Sequence, residues 1–272
     1  MRPEEGRHLF GADVDAYDRG RPGHPTRVYE LLVQRCGLGP GARVVEIGPG
    51  TGVATRRLLE LGADLVAVEP DPRLAERLPS AVGAVEVLNQ PLEEVVLPAE
   101  DFDVAAAASS FHWVDEKVGL GKLATALRRG GWIALWWSQF GVEDARSPSE
   151  QTLRRAVDDV LVGRGVELEE SPSAGHAGRP RHGLDIEART AALEHAGFEQ
   201  IEHELIPWTH VWDAAGLRAL YASFSPIIRL DDATRAAVLD TVENVAVHDL
   251  DGRVQLFMLT SLFTARRPDT ES

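Results

Sequence analysis

Val44-Val45-Glu46-Ile47-Gly48-Pro49-Gly50-Thr51-Gly52 is the stretch on which the reading of this chain turns. A run of β-branched residues ends at Gly48, and glycine then recurs at every second position. Glycine takes positive φ without a Cβ clash and lets a ligand approach the backbone closely. Helical spacing follows over Thr55–Leu61, so a buried strand, a glycine turn and a helix succeed one another. The amino end of such a helix offers free N–H groups. The glycines are spaced GxGxG. The dinucleotide fingerprint, GxGxxG, needs its third glycine one residue later, so that helix and strand close around a pyrophosphate. Glu46, just before the turn, would repel a pyrophosphate and suits a ligand with a positive ammonium group.

Asp64–Val68 reads as the next buried strand, and Glu69 follows it. An acid about 20 residues beyond a glycine turn is placed to accept hydrogen bonds from ribose hydroxyls. The competing reading, for Glu46 and Glu69 alike, is a plain strand-end carboxylate. Further strands are expected at Val85–Leu88, Phe102–Ser109 and Trp132–Trp137, the last entered through a turn at Gly130-Gly131. Pro72–Leu78 and Lys117–Leu127 read as helices between them. Short apolar strands alternating with helices predict an α/β fold, a Rossmann-like, doubly wound, mostly parallel sheet.

The rhythm changes after Ser138. Ser149–Val162 has helical spacing, and Gly163–Gly183, rich in Gly, Pro, Ser and His, reads as an exposed or mobile loop. Ile186–Ala196 is a helix stopped by Gly197. Glu199–Val211 is a strand. Asp213–Phe224 and Asp231–Val247 are helices opened by capping aspartates. Val254–Ala265 is a long apolar strand expected to close a seven-stranded sheet. The 272 residues fit a single domain.

Lys and Arg number 28 against 43 Asp and Glu, a formal charge of -15. Phosphate-backbone binding needs clustered positive charge, so nucleic acid is not an expected partner. A single cysteine, Cys36, makes neither an internal disulfide nor a thiolate zinc cluster. No apolar segment reaches the roughly 20 residues of a membrane span, and the polar N-terminal stretch is unlike a signal peptide. A cytoplasmic protein is expected. His176, His182, His195, His203, His210 and His248 form no tight ligand pattern, so no metal is expected.

VVEIGPGTG, VAVEPD, FDVAAAASSFHWVD and LRRGGWIALW together resemble four successive motifs of the class I S-adenosylmethionine-dependent methyltransferases, in order and spacing, from Ala42 to Trp137. The resemblance implies S-adenosyl-L-methionine as cofactor. It places Gly48, Gly50, Thr51 and Gly52 along it, Glu46 near its amino acid end, and Glu69 with Pro70 at the ribose. Gln90, Pro91 and Leu92 fall where the family contacts adenine, although the usual acid-alanine pair is absent there. Ser109 and Ser110 would lie beside the sulfonium. Tyr17-Asp18-Arg19-Gly20-Arg21-Pro22-Gly23-His24-Pro25 resembles a segment that folds over the cofactor in small-molecule members, with His24 in place of a second tyrosine. Arg21 would then pair with the methionine carboxylate, and Tyr17 would flank the methyl group, against the plain reading that both anchor a helix. Residues 1–40 thus read as a cap, 41–140 as the cofactor core, and 141–185 with 208–252 as acceptor-site insertions forming a lid.

Phe111-His112-Trp113 follows the fourth strand directly, where open α/β sheets place their ligands. The pair His112-Trp113 resembles the subset related to trans-aconitate methyltransferase. It implies a substrate wall of Phe111, His112 and Trp113, with His112 and Tyr17 as catalytic candidates and His112 a possible base. Trp137 and Tyr221 are further substrate-side candidates, among the aromatics Trp136, Trp208, Trp212 and Phe224, for each of which ordinary core packing competes. His176, Arg179, Arg181 and His182 suggest a lid over an acidic substrate or a solvated loop. The expected function is methyl transfer to a small molecule, on a hydroxyl or carboxylate oxygen. The Arg/Ala-rich, Lys-poor composition is associated with genomes in which such enzymes tailor secondary metabolites. A nicotinamide-dependent oxidoreductase, a non-catalytic S-adenosylmethionine-binding protein and a nucleic-acid methyltransferase are the alternatives. Oligomeric state is not legible.

Overall fold

The computed structural model describes residues 20–83, 85–140, 147–166 and 181–269. In chain order the elements are α1 (Thr26–Cys36), β1 (Arg43–Ile47), α2 (Val53–Glu60), β2 (Asp64–Val68), α3 (Pro72–Val82), β3 (Glu86–Leu88), β4 (Phe102–Ala108), α4 (Glu116–Ala126) and β5 (Leu127–Phe140). Then come α5 (Pro148–Gly163), α6 (Ile186–His195), β6 (Glu199–Asp213), α7 (Ala214–Ala222), α8 (Ser225–Ile228), α9 (Asp232–His248) and β7 (Arg253–Arg266). Phe111–Trp113 and His182–Leu184 form short 3-10 turns.

The strands make one seven-stranded sheet in the order β3-β2-β1-β4-β5-β7-β6. β1 to β5 pair in parallel, and β7 runs antiparallel to both β5 and β6. The chain travels outward from β1 to β3 and then returns to the other side of β1 with β4. That reversal opens a crevice at the carboxyl ends of β1 and β4, the place where doubly wound sheets bind ligands.

Strand alternation builds a core on each face. Val45 and Ile47 of β1 face one way, with Val66, Val68, Ala105, Ala107 and the α4 residues Leu120 and Leu123. Val44 faces the other way, with Leu65, Ala67, Val104, Ala106, Trp136 and the helix residues Val28, Leu32 and Leu58. A third cluster joins α5, α7 and α9 to the far ends of β6 and β7, through Leu153, Leu217, Val242 and Met258.

The helix starts follow the sequence. Asp213 accepts from Gly216 N, and Asp231 accepts from Ala233 N and Thr234 N. Gly197 takes φ 84 just past α6, the left-handed conformation that ends helices. Two expectations are corrected. Gly130-Gly131 does not form a turn into β5. Both lie inside the strand at a register irregularity, where Gly130 has φ 72 and the pair bonds Arg267. β7 does not close the sheet at its edge. It is inserted between β5 and β6, and its second half, 260–265, is buried on both faces.

Candidate active site

The crevice opens into a cavity of about 600 Å³, a size typical of small-molecule sites. Its first wall is the turn after β1. Gly48, Gly50 and Gly52 all have positive φ (63, 59 and 84), yet they are glycines for different reasons. A Cβ on Gly48 would stand 2.6 Å from Ser110 Cβ, and one on Gly52 would stand 2.4 Å from Val82 Cγ1. Those two let the turn pack against its own fold. A Cβ on Gly50 would meet nothing within 4 Å. Gly50 faces open space, and a ligand can reach its backbone.

Glu69 is 4% exposed and holds this turn. Oε2 accepts from Gly50 N at 3.0 Å, and Oε1 accepts from Asp71 N at 2.9 Å. Burial raises its pKa, and these two amides oppose the rise. A carboxylate has about four acceptor sites, so the remaining lone pairs are left for hydroxyl donors in the cavity. Pro70, Leu74, Pro91 and Leu92 continue the same wall with apolar surface. On the opposite lip, Ser110 donates to the Ile47 carbonyl and ties the end of β4 to the end of β1. Ser109 has φ 53, a strained region for a residue with a Cβ. It too lines the cavity.

The second wall starts at His112. Trp137 Nε1 lies 3.2 Å from His112 Nδ1. An indole nitrogen only donates, so Nδ1 accepts and the neutral ring carries its hydrogen on Nε2. Burial, reinforced by the charge of Arg21, pushes the imidazole down to about 4. His112 is therefore neutral at physiological pH, with its accepting nitrogen already engaged. This corrects the expected base: the free nitrogen is a donor. His182 packs 5.2 Å from the Trp137 ring and 6.0 Å from His112. Arg189 NH1 is 2.6 Å from its ring nitrogens. Burial and Arg189 push His182 down to about 3. Gly183 seats this turn on β5, since a Cβ there would fall 2.7 Å from Trp137 Cβ. Arg181 donates to the Phe140 carbonyl at 2.5 Å.

Beyond Trp137 the cavity becomes an apolar vault of Val157, Tyr221, Phe224, Ile227, Leu256 and Met258. Glu150, Arg154 and Asp158, one turn apart on α5, add a charged row. Arg21 anchors its guanidinium on Ser223 Oγ at 2.9 Å and lies 5.4 Å from the Phe140 and Phe224 rings.

The cavity thus gathers Arg21, Gly48, Gly50, Thr51, Glu69, Pro70, Pro91, Leu92, Ser109, Ser110, His112, Trp113, Trp137 and Tyr221 from the sequence reading. Other candidates sit elsewhere. Gly52 packs on α3. Gln90 is not on the wall; its neighbour Asn89 donates to the Glu69 carbonyl at 2.8 Å. Phe111 is 1% exposed and belongs to the core. Trp136 and Trp212 are core residues as well, and Trp208 bonds Thr260. The Glu46 carboxylate is fully buried beneath the turn instead of lining the cavity. Burial pushes it up to about 7, the nearby Thr55 hydroxyl opposes this, and Glu69 adds to it. Tyr17, His176 and Arg179 lie outside the described residues. Sequence reasoning missed the α5 row and treated His24 only as a substituted tyrosine. Helical spacing over 148–163 marks the first, but nothing local shows which face meets a ligand.

The family model described as a methyltransferase domain matches residues 45–135, the span from β1 to β5 that builds the glycine wall. Over this span the chain is similar to a methyltransferase domain. It is 36% identical over 129 residues to an uncharacterized methyltransferase of Mycobacterium tuberculosis, covering 47% of this chain and 51% of that protein. The chain spans about half the length of these curated mycobacterial relatives. Among solved structures it is similar to a candidate type II methyltransferase from Anaeromyxobacter dehalogenans, with TM-score 0.63 and 18% identity over 92% of this chain and 99% of that one. It is also similar to a Haemonchus contortus phosphoethanolamine N-methyltransferase 2 bound to phosphomonomethylethanolamine and S-adenosylhomocysteine. That likeness has TM-score 0.53 and 14% identity, over 96% of this chain and 57% of that one. Both likenesses are of fold.

The walls of this cavity fit S-adenosylmethionine. Gly50 leaves open space for a close backbone approach, Glu69 offers acceptors for ribose hydroxyls, and Pro91 with Leu92 offers apolar surface for a base. Among the described residues, no group of three or more His, Cys, Asp or Glu is arranged to hold a metal ion. No helix among them is long and apolar enough to cross a membrane.

Proposed function

We propose that the protein transfers the methyl group of S-adenosylmethionine to an oxygen of a small-molecule acceptor. The observation that carries this is the continuity of one cavity. The glycine turn and Glu69 at one end share it with the His112 and Trp137 wall and the apolar vault at the other. In this reading Gly48, Gly50, Thr51, Glu69, Pro70, Pro91 and Leu92 hold the cofactor, with Ser109 and Ser110 beside its reactive end. Residues 41–140 form the cofactor core, 1–40 the cap, and 141–185 with 208–252 the acceptor walls.

The cofactor supplies an activated methyl group, so the protein's task is to bind and align. His112 serves as a hydrogen-bond donor to the acceptor, because Trp137 occupies its other nitrogen. An acceptor already ionised near neutral pH, such as a carboxylate, needs no proton removed. A hydroxyl would need a base. The carboxylate is therefore the better match.

The test is methyl transfer from labelled S-adenosylmethionine to a panel of carboxylates and matched alcohols with apolar bodies. Labelling of carboxylates supports the proposal. Labelling confined to amines, or calorimetry without S-adenosylmethionine binding, would overturn it, and labelling confined to alcohols would overturn the carboxylate assignment.

A further inference from the structure

His24 stands just before α1 and lines the cavity. Its Nδ1 lies 3.0 Å from Ser138 Oγ, Ser138 Oγ lies 2.9 Å from Thr260 Oγ1, and Trp208 Nε1 donates to Thr260 Oγ1 at 2.9 Å. One end fixes the direction of this chain. The indole only donates, so the Thr260 oxygen accepts there and its own hydrogen needs another partner. Thr260 is fully buried, and among the described residues Ser138 Oγ is the acceptor in reach. Thr260 therefore donates to Ser138, and among the described residues the protein acceptor within reach of the Ser138 hydrogen is His24 Nδ1. With that bond made, the hydrogen of the neutral imidazole is left on Nε2. Donation from Ser138 to Thr260 instead would strand the buried Thr260 hydrogen without an acceptor, which folded proteins avoid.

The same logic applies to His112 through Trp137. Trp137 and Ser138 are consecutive on β5, so they face opposite sides of the sheet, and each orients one imidazole. His24 lies edge-on to Trp136 on the α1 side, at 5.7 Å. Neither Nε2 has a partner among the described residues. Burial holds His24, like His112, down to about 4. Arg21 reaches the same cavity, three residues before His24, and its charge is felt at His112. Two fixed N–H donors beside a guanidinium suit an oxygen anion.

We infer that His24 is a ligand-binding residue, paired with His112 across the end of β5, and that their two Nε2–H groups bind a carboxylate in the cavity. The inference rests on the methyltransferase reading only for the carboxylate's source, which is either the methionine tail of the cofactor or the acceptor.

Calorimetry on the wild type and His24→Phe uses three probes: S-adenosylhomocysteine, 5′-methylthioadenosine, which lacks the amino acid tail, and benzoate added at saturating S-adenosylhomocysteine. His24→Phe is expected to weaken S-adenosylhomocysteine or benzoate by tenfold or more and to leave 5′-methylthioadenosine within twofold. Loss of the first assigns the pair to the cofactor tail; loss of benzoate assigns it to the acceptor. His24→Gln, which keeps a side-chain N–H, is expected to recover part of the loss. Unchanged affinity for both carboxylates, or a parallel loss of 5′-methylthioadenosine, would overturn the inference. Nitrogen-15 NMR of the wild type at pH 7 is expected to show both rings as Nε2–H tautomers, and a His24 Nδ1–H tautomer would overturn it too. Failure of the wild type to bind S-adenosylhomocysteine would sink the methyltransferase reading, while the tautomer still judges the imidazole pair.

Discussion

Trp137 and His112 are joined by a hydrogen bond of 3.2 Å that decides which imidazole nitrogen carries the hydrogen. The donor stands on β5 and the acceptor on the turn after β4, so the sheet itself sets the tautomer. Trp137→Phe keeps an aromatic ring near Phe263 but removes the N–H. His112 then becomes free to hold its hydrogen on either nitrogen. A lost hydrogen bond of about 1 kcal/mol predicts a roughly fivefold to tenfold fall in kcat/KM for the acceptor. The Kd for 5′-methylthioadenosine, which lacks the carboxylate, should not change. An unchanged kcat/KM would show that the tautomer is irrelevant to transfer.

Gly50 combines φ 59 with open space where a Cβ would stand. Gly50→Arg projects a long cation into that space. The left-handed backbone costs about 1–2 kcal/mol with a Cβ, which a domain of this size survives. Circular dichroism should report a folded chain and calorimetry should report no S-adenosylmethionine binding. Retained binding would move the cofactor away from this turn.

Glu69→Ala removes the acceptor of two backbone amides, Gly50 N and the buried Asp71 N. Leaving a buried donor unpaired costs about 2 kcal/mol, or roughly 4–8 °C in Tm for a domain of this length. Cofactor affinity should fall more than tenfold, since the ribose acceptors are lost with it. A drop in Tm with intact affinity would make Glu69 a fastener of the turn alone.

Acidification should weaken the fold. His24 and His112 are held near pH 4 and His182 near 3, all chiefly by burial, against an ordinary 6.5. Between pH 6.5 and about 4 the unfolded chain takes up protons that the folded chain refuses, so stability is lost as pH falls through that window. Glu46, held near 7 against 4.5, works the other way, as do Glu69 and Glu116, but burial also holds down His203 and His210, so among the described residues five histidines stand against three carboxylates. The urea midpoint should be lower at pH 5 than at pH 7.5. An equal or higher midpoint at pH 5 would contradict the neutral histidines.

Gly183→Val forces side-chain atoms into the Trp137 ring, where even a Cβ would come within 2.8 Å of Cγ. Overpacking of this kind costs about 1–3 kcal/mol and should push the His182 turn off β5. Acceptor KM should rise while cofactor affinity holds. Equal loss of both would mean that the turn supports the whole cavity.

The glycine turn and Glu69, the cofactor side of the proposed reading, were legible because their signals are local. Gly48 to Gly52 and Glu69 sit within one strand-turn-helix unit and its successor, and the backbone demands of the turn write themselves into glycine. What the individual glycines do was not legible: only the packing of Val82 and Ser110 separates Gly52 and Gly48 from Gly50. Glu46 read as a wall residue because its neighbour in sequence is one, yet strand alternation turns its carboxylate into the core. Phe111 was drawn into the substrate wall by adjacency to His112, whereas a 3-10 turn points consecutive side chains in different directions. The acceptor side is non-local. Ser138 and Thr260 meet across 122 positions, and no spacing within either segment announces the other.

The insertion of β7 between β5 and β6 also gives the domain an order of completion during translation. Within the sheet β6 pairs only with β7, so a nascent chain that has not yet delivered Arg253–Arg266 has nowhere to dock it. The parallel strands β1 to β5 and the glycine turn are synthesised first and can assemble from neighbours already present. Leu256 and Met258 of the vault, and the Thr260 that orients His24, arrive last. On the proposed reading, the half that greets the methyl donor can therefore exist on the ribosome before the half that chooses what to methylate.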